Sequence, residues 1–331
     1  QDSNFLYFVG LNLPNMAMII DVDDKKCTLF GDDFEIDDII WMGPQPKMIE
    51  LAEMAGIERV SAYSDFEKVV EIAKMNGRNV HFLPPYRAEN KIKLSNMLHI
   101  PASDLKAKAS LELIKGVVAL REIKSDIEIA EMEKACLTGY QMQTTAMKMC
   151  KAGIYEREIA GAIEGIALAG GGGVSFPVIL SQNGETLHNH DHSKILENGR
   201  LLLIDCGAEN EMNYCSDYTR TIPVSGKFTE KQKAIYQIVY DANMKSIEAI
   251  KPGVKYREIH FLSARVVAQG LKDLGIMKGD VNEAVEKGAH ALFFPHGLGH
   301  QIGLDVHDME DLGENFVGYD ETTHGSDIFG T

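Results

Sequence analysis

The sequence predicts a two-part chain, an α/β domain over residues 1–115 followed by an α+β domain over 116–331. Three observations carry this. The 331 residues exceed one average domain of about 150 residues. Short apolar runs alternate with helix-like stretches up to about Leu105, and beyond that point capped helices bracket strand-like segments. With 45% hydrophobic and 25% charged residues, the composition is that of a globular protein and excludes disordered and collagen-like classes.

In the first part the apolar runs AMIIDV, CTLFG and NVHFL read as strands, and PKMIELAEMAG and DFEKVVEIAKMNG as helices. The acidic cluster Asp32, Asp33, Glu35, Asp37 and Asp38 lacks the spacing and glycine of a calcium loop and reads as a solvated turn. The domain junction falls near residues 108–124. In the second part SDIE, from Ser125 to Glu128, is a capping box that opens a helix through Met132 and Ala135, and TEKQ, from Thr229 to Gln232, opens another to about Ile250. Two further helices are expected over Tyr256–Leu274 and Val281–Phe293. Strand-like segments are FPVILS (176–181), RLLLIDCG (200–207) and YCSDYTRTIPV (214–224). Gly170 to Gly173 lead into a strand without the Lys-Ser/Thr of a phosphate loop and read as a turn.

The charge balance gives a net −16, which repels a phosphate backbone and argues against nucleic acid or an anionic membrane as partner. The longest uncharged stretch, Gly165 to Gly184, is broken by four glycines and a proline, so no membrane span is expected. Five cysteines without CxxC spacing suit free thiols in a reducing, cytoplasmic compartment. The chain opens on Gln1 with no initiator Met and no signal-peptide pattern, and is expected to be a piece of a longer protein.

The chemistry concentrates in two places. If 200–207 and 214–221 form one hairpin with its turn near Asn210 to Asn213, Asp205 and Asp217 come roughly opposite each other. The flanking leucines and isoleucine suggest a strand buried on both faces. A buried carboxylate needs compensation, which a metal ion supplies. The plainer reading has one Asp capping a turn and the other paired with Arg220. The second place is FFPHGLGHQIGLDVHD, where His296, His300 and His307 recur among glycines that allow close backbone approach. Imidazoles with carboxylates are a usual shell for Zn, Mn, Co or Fe. Upstream, LHNHDH carries His188, His190 and His192, which alternation places on one face; a solvated turn is an equal reading for His190 and His192.

The ordered set LHNH, IDCGAE, CSDYTRT and HGLGHQIGLDVHD resembles the pita-bread metallopeptidases (creatinase/methionine aminopeptidase-like), in the branch holding Xaa-Pro aminopeptidase and prolidase. The likeness covers about residues 110–331, with REIKSDIEIAEMEKA resembling the branch's entry helix and the first half resembling its smaller N-terminal domain. The resemblance implies a pita-bread catalytic domain, cut short at its C-terminus, with two divalent metal ions. Manganese is the first expectation, zinc or cobalt the alternatives. It further implies that Asp205 binds one metal, Asp217 bridges both and His300 binds the other, while His188, His296 and His307 line the substrate pocket. The implied substrate is a proline-containing peptide, and a homo-oligomer is compatible with it. The paired ions lower the pKa of a bridging water and polarise the peptide carbonyl.

Two further glutamate ligands of the family lie on later strands than any in this sequence. Glu310, Glu314 and Glu321 follow the histidine segment in a polar stretch without strand character, and are not expected to replace them. The implied reaction is release of an N-terminal residue before proline. The alternatives are an Xaa-Pro dipeptidase, another hydrolase of the fold such as a methionine aminopeptidase, and a catalytically silent peptide-binding module.

Overall fold

A computed structural model describes residues 2–318. They form two compact units, one of residues 1–122 with 311–316, the other of 123–310 with the remainder. In the first unit, helix α1 (Ser3–Val9) precedes strands β1 (Ala17–Asp21) and β2 (Lys26–Phe30), which pair antiparallel with Ala17 opposite Phe30. Helices α2 (Ile36–Met42) and α3 (Met48–Met54) lead to β3 (Arg59–Ser61), which adds to β2 in parallel. Val9, Leu29, Met48, Leu51 and Ala52 form the core between sheet and helices. Helices α4 (Phe66–Met75), α5 (Ala88–Leu98), α6 (Leu105–Lys108) and α7 (Leu111–Arg121) complete the unit.

Two sequence expectations change here. NVHFL forms no strand: Val80 and Phe82 pack against Val70, Met97 and Leu98, but Pro84 and Pro85 follow at once and offer no backbone donor to a ladder. The acidic residues are all exposed, as expected, but they bond neighbouring backbone and enter a helix in place of a simple turn. Asp33 accepts a hydrogen bond from the Met48 amide at 2.7 Å and Asp32 one from the Tyr63 amide at 3.0 Å, while Asp37 and Asp38 enter the first turn of α2, where negative charge opposes the helix dipole.

The second unit starts at helix α8 (Asp126–Met149), whose capping box forms as the sequence predicts: the Ser125 amide donates to Glu128 Oε2 at 2.8 Å, and the Glu128 amide to Ser125 Oγ at 3.4 Å. Helix α9 (Glu156–Ala169) packs beside it. Strands β4 (Gly173–Val174), β5 (Ile179–Ser181), β6 (Leu201–Cys206), β7 (Ala208–Glu209) and β8 (Tyr218–Pro223) make two small antiparallel sheets, β4-β7 and β5-β6-β8. Met142, Ala146, Ile159 and Ile163 of the helices meet Leu180, Leu202, Ile204 and Cys206 of the strands. Apolar residues thus cover only the even-numbered face of β6; the face bearing Leu201, Leu203 and Asp205 is half-buried rather than fully enclosed.

Helix α10 (Glu230–Ala249) starts at the Thr229 capping box and packs against α11 (Tyr256–Asp273). The helix expected over Val281–Phe293 is shorter. It forms α12 (Val281–Glu286) and then breaks at Gly288, which takes the left-handed conformation at φ 72° and starts a separate 3₁₀ turn.

Candidate active site

The site is built on the hairpin of β6 and β8. Its turn falls at Asn210–Asn213 as the sequence predicts: the Asn213 amide bonds to the Asn210 carbonyl at 2.9 Å, with Asn213 at φ 64°. The register refines the expectation. Asp205 lies opposite Thr219, so Asp217 falls opposite Gly207, two residues along the same face and diagonal to Asp205. A Cβ on Gly207 would stand 1.7 Å from the Ser216 carbonyl oxygen; only glycine lets the strands close beside Asp217. From behind, the Gln143 amide on α8 donates to the carbonyls of Ile204 (3.1 Å) and Tyr218 (2.6 Å), tying both strands to the helix.

His300 Nε2 approaches Asp217 Oδ2 at 3.3 Å. The His307 ring stacks on His300, with centroids 3.8 Å apart and planes at 12°. The Asp217 carboxylate, hydrogen-bonded to His300, raises the imidazole's pKa to about 9. Burial, followed by the charge of Asp217, pushes Asp205 up to about 6, with the Thr219 hydroxyl, His188 and His300 acting the other way. Among the described residues Arg220 makes no ion pair with either aspartate; it donates to the Thr219 carbonyl at 2.7 Å.

Two carboxylates and an imidazole suit a divalent ion, and Asp205 Oδ1 is buried without a hydrogen-bond partner. The donor set therefore fits a metal. Among the described residues no three histidine, cysteine, aspartate or glutamate side chains converge on one point. His300 and Asp217 instead turn toward each other.

Comparison with known proteins matches residues 130–326 to the model of metallopeptidase family M24 and residues 1–81 to that of the aminopeptidase P N-terminal domain. The chain belongs to metallopeptidase family M24. Its second part therefore has the pita-bread fold, preceded by the aminopeptidase P-type N-terminal domain. A probable Xaa-Pro aminopeptidase of Chaetomium globosum is 34% identical over 93% of this chain and 51% of its own length. The Xaa-Pro aminopeptidase of Escherichia coli is 31% identical over 95% of this chain and 74% of its own. A solved structure of zinc-substituted E. coli aminopeptidase P in complex with product superimposes with a TM-score of 0.84 at 30% identity, covering 97% of this chain and 75% of that one. The M24 chain spans between about half and two thirds of the length of the fungal relatives.

Within the M24 chain the expected histidines separate. His300 and His307 join the aspartates, and His188, exposed on the loop before β6, is close enough to influence Asp205. His296 stands apart, exposed and edge-on to Phe294 at 4.9 Å. The three histidines of LHNHDH do not share a face. His188 and His190 are exposed in an irregular loop, while both ring nitrogens of His192 face backbone carbonyls, Leu180 at 2.9 Å and Val178 at 3.1 Å, so His192 ties the loop to β5.

Sequence reasoning missed what holds the histidine loop. His307 Nδ1 meets both oxygens of Glu310, at 2.8 and 2.9 Å, so Glu310 orients an imidazole. The i, i+3 spacing of His307 and Glu310 was a readable signal. Glu321 lies outside the described residues. Among the described residues no helix is long and apolar enough to cross a membrane.

Proposed function

We propose that this protein is a metal-dependent exopeptidase that releases the N-terminal residue from peptides with proline in second position. The observation that supports this reading is the His300–Asp217 contact at 3.3 Å beside the buried Asp205 carboxylate in a chain of the M24 family, whose relatives are named Xaa-Pro aminopeptidases.

In this reading Asp205, Asp217 and His300 would hold two divalent ions. When bound, such ions supply a water of lowered pKa and polarise the scissile carbonyl. His300, freed from Asp217 and neutral, offers its Nε2 lone pair. Thr219 and the half-buried sheet face keep Asp205 in a fixed orientation. His307, its Nδ1 donating to Glu310, would turn Nε2 toward the carbonyl oxygen and, in its imidazolium form, donate there as negative charge develops. His188 and His296, both exposed, would line the substrate pocket with His307 and share in stabilising that charge. Manganese is the proposed metal because carboxylate-rich shells suit it. The five unpaired cysteines support a reducing, cytoplasmic location, and a homo-oligomer belongs to the same reading.

The test is cleavage of paired Xaa-Pro and Xaa-Ala peptides by the full-length protein before and after chelation. The reading predicts metal-dependent release of the first residue with kcat/KM much higher for proline, because a pocket shaped to that ring discriminates in the transition state. Equal rates on the two peptides overturn the proline preference; cleavage limited to dipeptides makes the protein a dipeptidase; no cleavage with metal present leaves the silent peptide-binding module.

A further inference from the structure

The loop that carries His300 and His307 has an anchor far away in sequence. Asp308 is 1% exposed, and its Oδ2 lies 2.8 Å from the Nζ of Lys124, itself 13% exposed, just ahead of the α8 capping box. Around this pair the loop closes on itself: Asp308 Oδ1 accepts from the Asp305 amide at 3.3 Å, the Asp308 amide donates to the Gln301 carbonyl at 3.0 Å, and the Gly303 amide to the Asp305 carbonyl at 3.0 Å. The Gly303 carbonyl in turn accepts from the Cys215 amide at 2.8 Å, two residues before Asp217. One buried ion pair thus connects the start of α8, the histidine loop and the segment that runs from Cys215 to the Asp217 carboxylate.

The packing leaves little slack. A Cβ on Gly303 would stand 2.7 Å from Asp308 Oδ2 and 3.0 Å from Lys124 Cε. A buried carboxylate beside Asp305 is costly without compensation, and Lys124 supplies part of it at 2.8 Å. A hydrophobic pair could fill the volume, but it would not orient the Asp305 and Asp308 backbone.

We propose that Lys124, through Asp308, is a positioning residue that sets His300 and His307 against the Asp205–Asp217 hairpin. It rests on the functional reading above and goes beyond it by naming what holds the imidazoles in register. Lys124 touches neither substrate nor metal in this account.

The experiment uses the full-length protein and three variants: Lys124→Met, Gly303→Ala and Leu271→Ala. Gly303→Ala keeps both charges and wedges them apart, whereas Leu271→Ala opens a cavity in the buried face of α11 and serves as a control for general destabilisation. Manganese affinity is measured by titrating free Mn2+, alongside kcat, KM and the melting temperature. Outer-shell partners of metal ligands typically change affinity or activity by about 10- to 100-fold, so Lys124→Met and Gly303→Ala are expected to bind manganese at least about tenfold more weakly and to lose kcat with little change in KM. Leu271→Ala is expected to lose melting temperature only.

If Lys124→Met does not fold, Gly303→Ala decides; if neither folds, the pair is a requirement for folding and the proposal is overturned. Wild-type manganese affinity and turnover in a folded variant, or equal losses in Leu271→Ala, also overturn it. A wild-type protein that neither binds manganese nor cleaves Xaa-Pro peptides removes the functional reading itself. Wild-type activity with variants matching the control removes only the role of Lys124.

Discussion

The Nε2 of His300 stands 3.3 Å from Oδ2 of Asp217, so one imidazole compensates the carboxylate that the hairpin places between Asp205 and the histidine loop. The pair accounts for two opposite electrostatic effects at one site. Asp217 favours the charged form of His300 and disfavours the charged form of Asp205. A cation between the two aspartates relieves that repulsion, which is the physical reason for treating this hairpin as a metal platform.

His296 is exposed and rests on Phe294, outside the contacts of Asp217 and His300. His296→Ala is therefore expected to keep its metal while losing roughly a hundredfold in turnover, the scale of one donor to a developing oxyanion. Metal analysis beside steady-state kinetics checks this. Loss of metal with unchanged activity per metal reverses the roles of His296 and His300.

Glu310 and His307 form a surface pair, with side chains 40% and 59% exposed. Such pairs contribute between about 0 and 1 kcal/mol to stability, so Glu310→Ala is expected to leave denaturant unfolding almost unchanged. Turnover should fall severalfold, because the ring it orients becomes free to rotate. Unchanged kcat shows that the orientation does not matter.

Stability should fall in mild acid because of two other histidines. His260 and His290 are 3% and 0% exposed, none of their ring nitrogens has a hydrogen-bond partner, and the rings lie 6.0 Å apart. Burial, with the neighbouring His290, His296 and Arg257 adding to it, lowers His260 to about 4, and burial lowers His290. A depressed histidine favours the fold only while neutral, so its contribution is complete above the ordinary value of about 6.5 and disappears as pH falls from there through about 4. Melting temperature should decline across that window. His260→Leu should flatten the slope; an identical slope in that variant assigns the acid sensitivity elsewhere.

Gly207→Ala tests the close approach at the hairpin. Its Cβ would lie 1.7 Å from the Ser216 carbonyl oxygen, and backbone cannot give way as a flexible side chain can, so a loss of more than about 3 kcal/mol is expected. Chemical denaturation measures it. A loss below 1 kcal/mol, about the effect of an ordinary substitution, means the two strands can part there at little cost.

Much of this was legible in the sequence where local chemistry decides the outcome. The capping boxes at Ser125 and Thr229 and the turn at Asn210–Asn213 are short-range signals, and each forms as read; β6, read as buried on both faces, is enclosed on one only. The pairing of Asp205 with Thr219 instead of Asp217 depends on register, which two residues of slip alter without changing the face. His192 could not be read because its partners are the backbone carbonyls of Leu180 in β5 and Val178 just before it, and carbonyls leave no mark on side-chain pattern. Lys124 lies 184 positions from Asp308, a separation at which no local periodicity carries information. The helix expected to reach Phe293 stops at Glu286, because Gly288 takes the left-handed conformation that ends it.

The most direct measurement is the metal content of the full-length protein and its Asp217→Ala variant, purified in parallel and analysed by elemental methods. A carboxylate that bridges paired ions holds both, so the account predicts about two divalent ions per wild-type chain and a fall well below that in the variant, with peptidase activity lost in step. Full metal retention in Asp217→Ala, or a wild-type protein that takes up no metal, contradicts it.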